Sequence, residues 1–136
     1  MQSGIDADTV HEYGKREPSF GGAYFDGDVL VALFTTDIDE HASRLLPTLE
    51  APDQFRVTVA SRAYSQVTAS NARVQMKLMH SGRYPEVVGV GIGMSAGQFV
   101  VKVRVEGLTD AVAAALRDAV APDDIQIGPG YRAVRS

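Results

Sequence analysis

The chain has 136 residues, of which 45% are hydrophobic and 22% are charged, with a formal net charge of −4. This composition is typical of one globular domain and excludes a disordered chain, and the acidic balance provides no general attraction to nucleic acid or anionic membranes. The absence of cysteine excludes disulfide bonds, thiolate catalysis and thiolate metal sites.

Residues 1–19 form a polar, acidic N-terminal segment that is unlike a signal peptide, with a short helical turn predicted near Asp8–Tyr13. No apolar run in the chain approaches the roughly 20 residues that a membrane-spanning helix needs. We leave the compartment open, because removal of a signal peptide ahead of Met1 would mean that the protein is secreted.

Residues 20–64 are predicted to form a first unit of two strands, a helix and a third strand. Asp26-Gly27 lies between the strand-like runs Phe20–Phe25 and Asp28–Thr35, and this dipeptide favours a type I′ hairpin turn with positive φ at both residues. In the second run, Val29–Phe34 is apolar at both odd and even positions. This pattern predicts burial on both faces of the strand or against a second chain.

The helix of the first unit is predicted over Ile38–Leu46. Asp37 is a typical N-cap residue, and Pro47 cannot continue a helix because it lacks an N–H donor. A short strand then follows near Gln54–Ala60.

Residues 65–86 are predicted to link this unit to the next. Ser65–Met79 has apolar residues at helical spacing, and Gly82 and Pro85 should end the helix.

Residues 87–136 are predicted to form a second unit with the same order of elements. Strands over Val87–Ile92 and Gln98–Val105 flank a loop at Gly93–Gly97, and a helix over Leu108–Val120 precedes a strand at Asp124–Gly128. The second strand alternates, with Val101, Val103 and Val105 on one side and Lys102 and Arg104 on the other, so it should have one buried and one solvent-exposed face.

The two units resemble each other in sequence. Ala51-Pro52-Asp53 recurs 70 residues later as Ala121-Pro122-Asp123, and the same offset aligns Val31 with Val101 and Leu33 with Val103. Nearer the N-terminus the offset is 67, which aligns Gly22 with Gly89. We therefore predict a duplicated α+β fold in which two similar β-β-α-β units, joined by a helix, form mixed sheet with helices on one face of a compact domain.

Two catalytic-looking motifs overlap at the second hairpin. Gly93–Gly97 matches the G-x-S-x-G nucleophile elbow around Ser95, and Gly91–Ala96 matches a G-x-G-x-x-A dinucleotide fingerprint. Both motifs need a helix immediately after them, yet a strand is predicted there, and no histidine follows Ser95. We interpret the segment as a hairpin loop.

No metal site is predicted. Asp37 and Asp39 open like a calcium loop, but Ala42 and Thr48 stand where that loop needs Gly and Glu. The histidines lack ligand spacing and are expected at the surface or at its boundary: His11, His41 and His80. We assign no catalytic, cofactor-binding or metal-binding residue.

Basic residues of the second unit are predicted to share one exposed sheet face: Arg83, Lys102, Arg104 and Arg132. Only Tyr84 and Tyr131 could supply aromatic rings there, which is too few for a single-stranded nucleic-acid surface. We interpret this face as solvated, or as a patch for an acidic protein partner.

Gly22-Ala23-Tyr24-Phe25-Asp26-Gly27, followed by the apolar run into Asp37, resembles the pro-regions of secreted bacterial serine proteases of the alpha-lytic and streptogrisin type, and related duplicated actinobacterial modules. The resemblance covers about residues 20–65 and 87–134. It implies a folding helper or inhibitor that docks its sheet against an enzyme. The chain contains no protease domain, and no functional residue can be transferred.

Three functional hypotheses follow. The first is a non-enzymatic interaction module, without cofactor or nucleic acid, that binds another protein or a second copy of itself through a sheet face or edge. The second is a small-molecule-binding domain or enzyme with a cleft between the units, lined by these polar groups: Tyr24, Tyr64, His80 and Tyr131. The third is a self-associating structural domain that pairs through Val29–Phe34.

Overall fold

A computed structural model of the chain describes residues 4–131. The elements are, in order, α1 (Gly4–Gly14), β1 (Phe20–Asp26), β2 (Val29–Phe34), α2 (Ile38–Leu45), β3 (Phe55–Val59), α3 (Tyr64–Leu78), β4 (Val87–Ser95), β5 (Gln98–Val105), α4 (Asp110–Val120) and β6 (Gln126–Pro129). They confirm the predicted α+β class. Within residues 4–131, no helix combines the length and apolarity needed to cross a membrane.

The chain divides into two compact units, Met1–Gln66 and Val67–Ser136. In the first, β1 pairs antiparallel with β2, which pairs in parallel with β3. In the second, β4, β5 and β6 repeat the same order and directions. The predicted pair of β-β-α-β units is therefore confirmed, and the strands form two three-stranded mixed sheets.

The core of the first unit lies on one face of its sheet. Alternate residues of β2 pack with α1 and α2 in a buried cluster of Val10, Leu30, Ala32, Phe34, Leu45, Leu49 and Phe55. The N-terminal segment is part of this unit, because α1 has eleven residues and both Val10 and Asp6 are fully buried. The helical turn predicted near Asp8–Tyr13 lies within this helix, which is longer than expected.

The core of the second unit is built in the same way. α3, α4 and the two hairpin strands form a buried cluster of Val67, Val74, Leu78, Val87, Val101, Val103, Val105, Leu116 and Val120. The predicted alternation of β5 is confirmed, because its three core valines are fully buried whereas Lys102 and Arg104 are exposed.

Both hairpin turns differ from the predictions. Asp26 pairs with Val29, so the first turn is Gly27-Asp28, and only Gly27 (φ 60°) has the positive φ that a type II′ turn needs. In the second hairpin, Gly93–Ser95 continue β4, and the turn is Ala96-Gly97 with φ of 50° and 75°. This two-residue turn has the type I′ pattern, so the expected loop at Gly93–Gly97 was wrong.

The start of α2 also differs from the prediction. Asp37 has left-handed backbone angles (φ 56°, ψ 42°), and its side chain makes no cap hydrogen bond, so the predicted Asp37 cap is wrong. Its carbonyl instead accepts the first helical bond, from the His41 N–H at 3.0 Å. The helix ends at Leu45 ahead of Pro47, as predicted, and one 3₁₀ turn follows.

Candidate functional site

The candidate site depends on which residues of the two sheets are equivalent. Each hairpin has a bulge near its open end, and the bulges match. The register steps from Phe20↔Phe34 to Gly22↔Leu33 in the first unit, and from Val87↔Val105 to Gly89↔Arg104 in the second. Leu33 therefore corresponds to Arg104, and Val31 to Lys102, one residue away from the partners that the sequence alignment gave them. Successive residues of a strand point to opposite faces of the sheet. This one-residue difference therefore places Val31 and Leu33 on the face opposite to the core face that the sequence alignment gave them.

The first unit has no exposed polar face on its central strand. Val31 and Leu33 point away from the helices, yet both are fully buried. Leu33 and Ala60 both lie against Gly21, where the chain continues past the end of β3. The side chains on both faces of β2 are thus buried within a single chain. The apolar sequence of β2 does not require a second copy of the chain to bury it.

The second unit presents a basic face at the equivalent positions. Lys102 and Arg104 are exposed, and neither has an ion-pair partner among the described residues. Beside them, Gly89, Gly91 and Gly93 occupy every second position of β4, so this strand places no side chain on that face between residues 89 and 93.

The two cationic side chains extend across β4. Arg104 lies over Gly89, where a Cβ would stand 2.9 Å from its Nε atom. Lys102 lies over Gly93, where a Cβ would stand 2.9 Å from Cδ and 3.5 Å from Nζ. A Cβ at Gly91 would have no heavy atom within 4 Å. The cations therefore diverge toward the outer edge of the sheet and leave a gap between them.

The outer edge of β4 carries backbone groups that are not paired with another strand. The pair that closes a two-residue hairpin turn, here Ser95 with Gln98, exchanges both backbone hydrogen bonds, and alternate pairs along the ladder do the same. The N–H and C=O groups of Val90, Ile92 and Met94 consequently point outward. Consistent with this, the Gln75 side-chain amide donates to the Val90 carbonyl at 3.2 Å. No strand of the described chain pairs with this edge.

The first unit contains a buried polar cluster that the sequence analysis missed. His41 is only 4% exposed and stacks on Phe34 at 3.9 Å, so its expected surface or boundary position was wrong. Its Nδ1 lies 2.7 Å from the Tyr13 hydroxyl and its Nε2 lies 3.2 Å from the Ser19 hydroxyl. The helical spacing of His41 with Ile38 and Leu45 was the available signal, since it puts the histidine on the apolar stripe. The cluster joins α1, the β1 entry and α2.

A hydrogen-bonded carboxylate, Asp123, holds α3 in the second unit. Asp123 accepts hydrogen bonds from Ser70 Oγ at 2.6 Å and from Arg73 Nε and Nη2 at 2.9 and 2.7 Å. The hydrogen bond from Arg73 lowers the pKa of Asp123 to about 2, against the opposing effect of partial desolvation. In the first unit, α1 is held by two other hydrogen bonds. Asp6 on α1 accepts them from the Glu50 and Ala51 N–H groups, at 2.8 and 2.9 Å.

The other candidate residues lie in different elements of the two units. Ser95 ends β4 and the chain enters β5, so neither catalytic-looking motif has the helix that it needs. Of the proposed cleft residues, the first unit holds Tyr24 and Tyr64 and the second holds His80 and Tyr131. Arg83 lies in the loop before β4, and Arg132 lies outside the described residues. Across residues 4–131, no group of three or more potential ligands could hold a metal ion.

The chain matches no family model and no curated protein. The resemblance to bacterial protease pro-regions therefore stays a prediction, and the site has to be judged on its own geometry.

Proposed function

We propose that the protein is a non-enzymatic interaction module that binds an extended segment of another protein along the outer edge of β4. The observation that carries the proposal is the edge itself. β4 is nine residues long, and over Val87–Ser95 it contains neither a charged residue nor a proline. Edge strands are commonly protected against pairing by charge, proline, bulges or a covering element. Beyond its bulge near Gly89, β4 carries none of the first three.

Strand addition also suits a sequence without a catalytic signature. The affinity comes mainly from main-chain hydrogen bonds, each with a net contribution of about 0.5–1.5 kcal/mol, and these leave little trace in side-chain motifs. Ile92 and Met94 each offer one outward N–H and one outward C=O to an added strand. Their side chains do not have to change for the pairing to occur.

The test removes one outward donor. Met94→Pro deletes an N–H on the free edge, where proline is tolerated, and Met94 is not among the described residues that pack into the second unit's core cluster. Met94→Ala is the matched control because it shortens the same side chain and keeps the N–H. Ten-residue peptides would be selected from a display library on the wild-type protein, and their dissociation constants measured by fluorescence anisotropy.

We expect the selected peptides to bind Met94→Pro about two- to twelvefold more weakly than Met94→Ala, as loss of one main-chain hydrogen bond of about 0.5–1.5 kcal/mol predicts, and to bind Met94→Ala within about twofold of wild type. Bound peptide should also slow amide hydrogen exchange at Ile92 and Met94. Failure to select any peptide, or equal binding by the proline and alanine variants, would refute strand addition at β4.

A further inference from the structure

We infer that the segment bound along β4 is acidic, with carboxylates at the two positions that face Gly89 and Gly93. This inference rests on the proposed strand addition and specifies the chemistry of the partner. Its basis is that Lys102 and Arg104, which have no ion-pair partner within residues 4–131, extend over β4 toward its free edge.

The position of the charges follows from the glycines. A strand added to β4 would lie about 4.8 Å from it, and about twice that distance from β5. With ordinary side chains on β4, Lys102 and Arg104 would be held above β5. Instead Arg104 lies over Gly89 and Lys102 over Gly93, so both charges stand one strand away from the incoming segment. A carboxylate directly opposite either glycine is then within reach of a cation.

The spacing between the two sites is also defined. Gly89 and Gly93 are four residues apart on an extended strand, which corresponds to about 13 Å. The partner therefore needs acidic residues at positions i and i+4. The same spacing is kept whether the added strand runs parallel or antiparallel to β4. The intermediate residue, i+2, faces the gap at Gly91, which leaves room for a large side chain.

Charge complementarity favours an acidic protein segment over nucleic acid as the occupant. Among residues 4–131, the central strand contributes two cations to the basic face, on a chain with net charge −4, whereas non-specific nucleic-acid binding depends on many phosphate contacts. Hydrogen bonds between a guanidinium and a carboxylate also combine charge with direction, so an acidic side chain at a fixed strand position can be selected.

The experiment uses the full chain and three terminally blocked ten-residue peptides. Each has the same Thr/Val-rich extended sequence and carries glutamate, glutamine or lysine at both its fourth and its eighth position. A fourth peptide, the close-spaced glutamate peptide, carries glutamate at its fourth and sixth positions to test the spacing. Binding is measured by fluorescence anisotropy for wild type, Lys102→Gln/Arg104→Gln and Lys102→Glu/Arg104→Glu. Lys77→Gln/Arg117→Gln removes two exposed cations from α3 and α4, the helices on the opposite side of the sheet, and serves as the charge-matched control.

We expect the glutamate peptide with the i, i+4 spacing to bind wild type at least about tenfold more tightly than the glutamine peptide and the close-spaced glutamate peptide. The double glutamine variant of the protein should lose this preference, the charge-reversed variant should prefer the lysine peptide, and the control should behave as wild type.

The possible failures can be told apart. Equal binding of the glutamate and glutamine peptides, with both weakened by Met94→Pro, would overturn the acidic preference and leave strand addition intact. If no peptide binds, and neither do library-selected peptides, the proposed function itself fails. Binding of a ten-nucleotide oligothymidylate that depends on Lys102 and Arg104 but not on the Met94 N–H would overturn the inference in favour of nucleic acid.

Discussion

Asp123 provides the sharpest test of the energetics of the second unit. Its side chain is 8% exposed and accepts hydrogen bonds from Ser70 and Arg73. A fall in its pKa from 3.8 to about 2 corresponds to about 2.4 kcal/mol of stability at neutral pH, at about 1.36 kcal/mol per pH unit. Because the Arg73 side chain is 56% exposed, solvent screening should reduce this value, and we expect Asp123→Asn to lower the free energy of unfolding by about 1.5–2 kcal/mol at pH 7.

The pH dependence gives the sign of the effect. A carboxyl group whose pKa is lowered by folding stabilises the protein above its ordinary pKa of 3.8, and this contribution is lost as the pH falls through about 2. The difference between wild type and Asp123→Asn should therefore be nearly constant from pH 7 to pH 5 and fall to about half at pH 3.

Urea unfolding at pH 7, 5 and 3, followed by circular dichroism, would measure this difference. Asp53→Asn is the matched control, because Asp53 holds the equivalent place in the repeated Ala-Pro-Asp sequence but is exposed. A loss below about 0.5 kcal/mol at pH 7, or a loss of the same size for Asp53→Asn, would refute the argument, since surface substitutions usually fall within that range.

Three further predictions concern the first unit, and urea unfolding monitors each of them. Gly21→Val should destabilise by about 1–3 kcal/mol, since its Cβ would collide with Ala60 and stand 3.1 Å from the Leu33 Cβ. Adding Ala60→Gly should recover at least half of the loss, because the second unit packs Val88 over Gly130 at the equivalent place; no recovery would contradict this equivalence. His41→Val should cost about 1–3 kcal/mol because the Tyr13 and Ser19 hydroxyls lose their hydrogen bonds to the imidazole ring, and a neutral result would mean that other partners replace those bonds. Asp6→Ala should cost about 2–4 kcal/mol because two backbone N–H groups lose their acceptor, whereas Asp6→Asn keeps one acceptor oxygen and should cost less; equal losses would argue against the two bonds.

The sequence predicted the elements whose apolar pattern matches their burial. β5 alternates between core valines and exposed cations, and its period of two was enough to predict both faces. α1 could not be predicted at full length, because its sequence has no apolar stripe and Val10 is the one apolar side chain of this helix that is buried. The two bonds that Asp6 accepts come from residues more than 40 positions away, and no local pattern records them.

The glycines of β4 conceal the strand in the sequence for a physical reason. Glycine has low strand propensity, so the sequence favours a loop at Gly93–Gly97. In the structure Val90 and Ile92 pack against the core between the glycines, and this burial holds the strand in place. The hairpin is consequently longer than the first one, with strands of nine and eight residues against seven and six. The extra length shifts the alignment of β2 with β5 by one residue, which an alignment based on similar apolar residues could not detect.

The corrected alignment also explains why the proposed binding surface belongs to one unit only. At the positions of Gly91 and Gly93, β1 carries Tyr24 and Asp26, and Asp26 pairs with Arg56 at 2.9 Å. At the positions of Lys102 and Arg104, β2 carries Val31 and Leu33, which are fully buried. Lysine at Val31 would bury an unpaired charge, so the first unit cannot adopt the chemistry of the second without losing stability. One topology therefore supports two different sheet faces, and only the second combines a bare edge strand with cations that can reach across it.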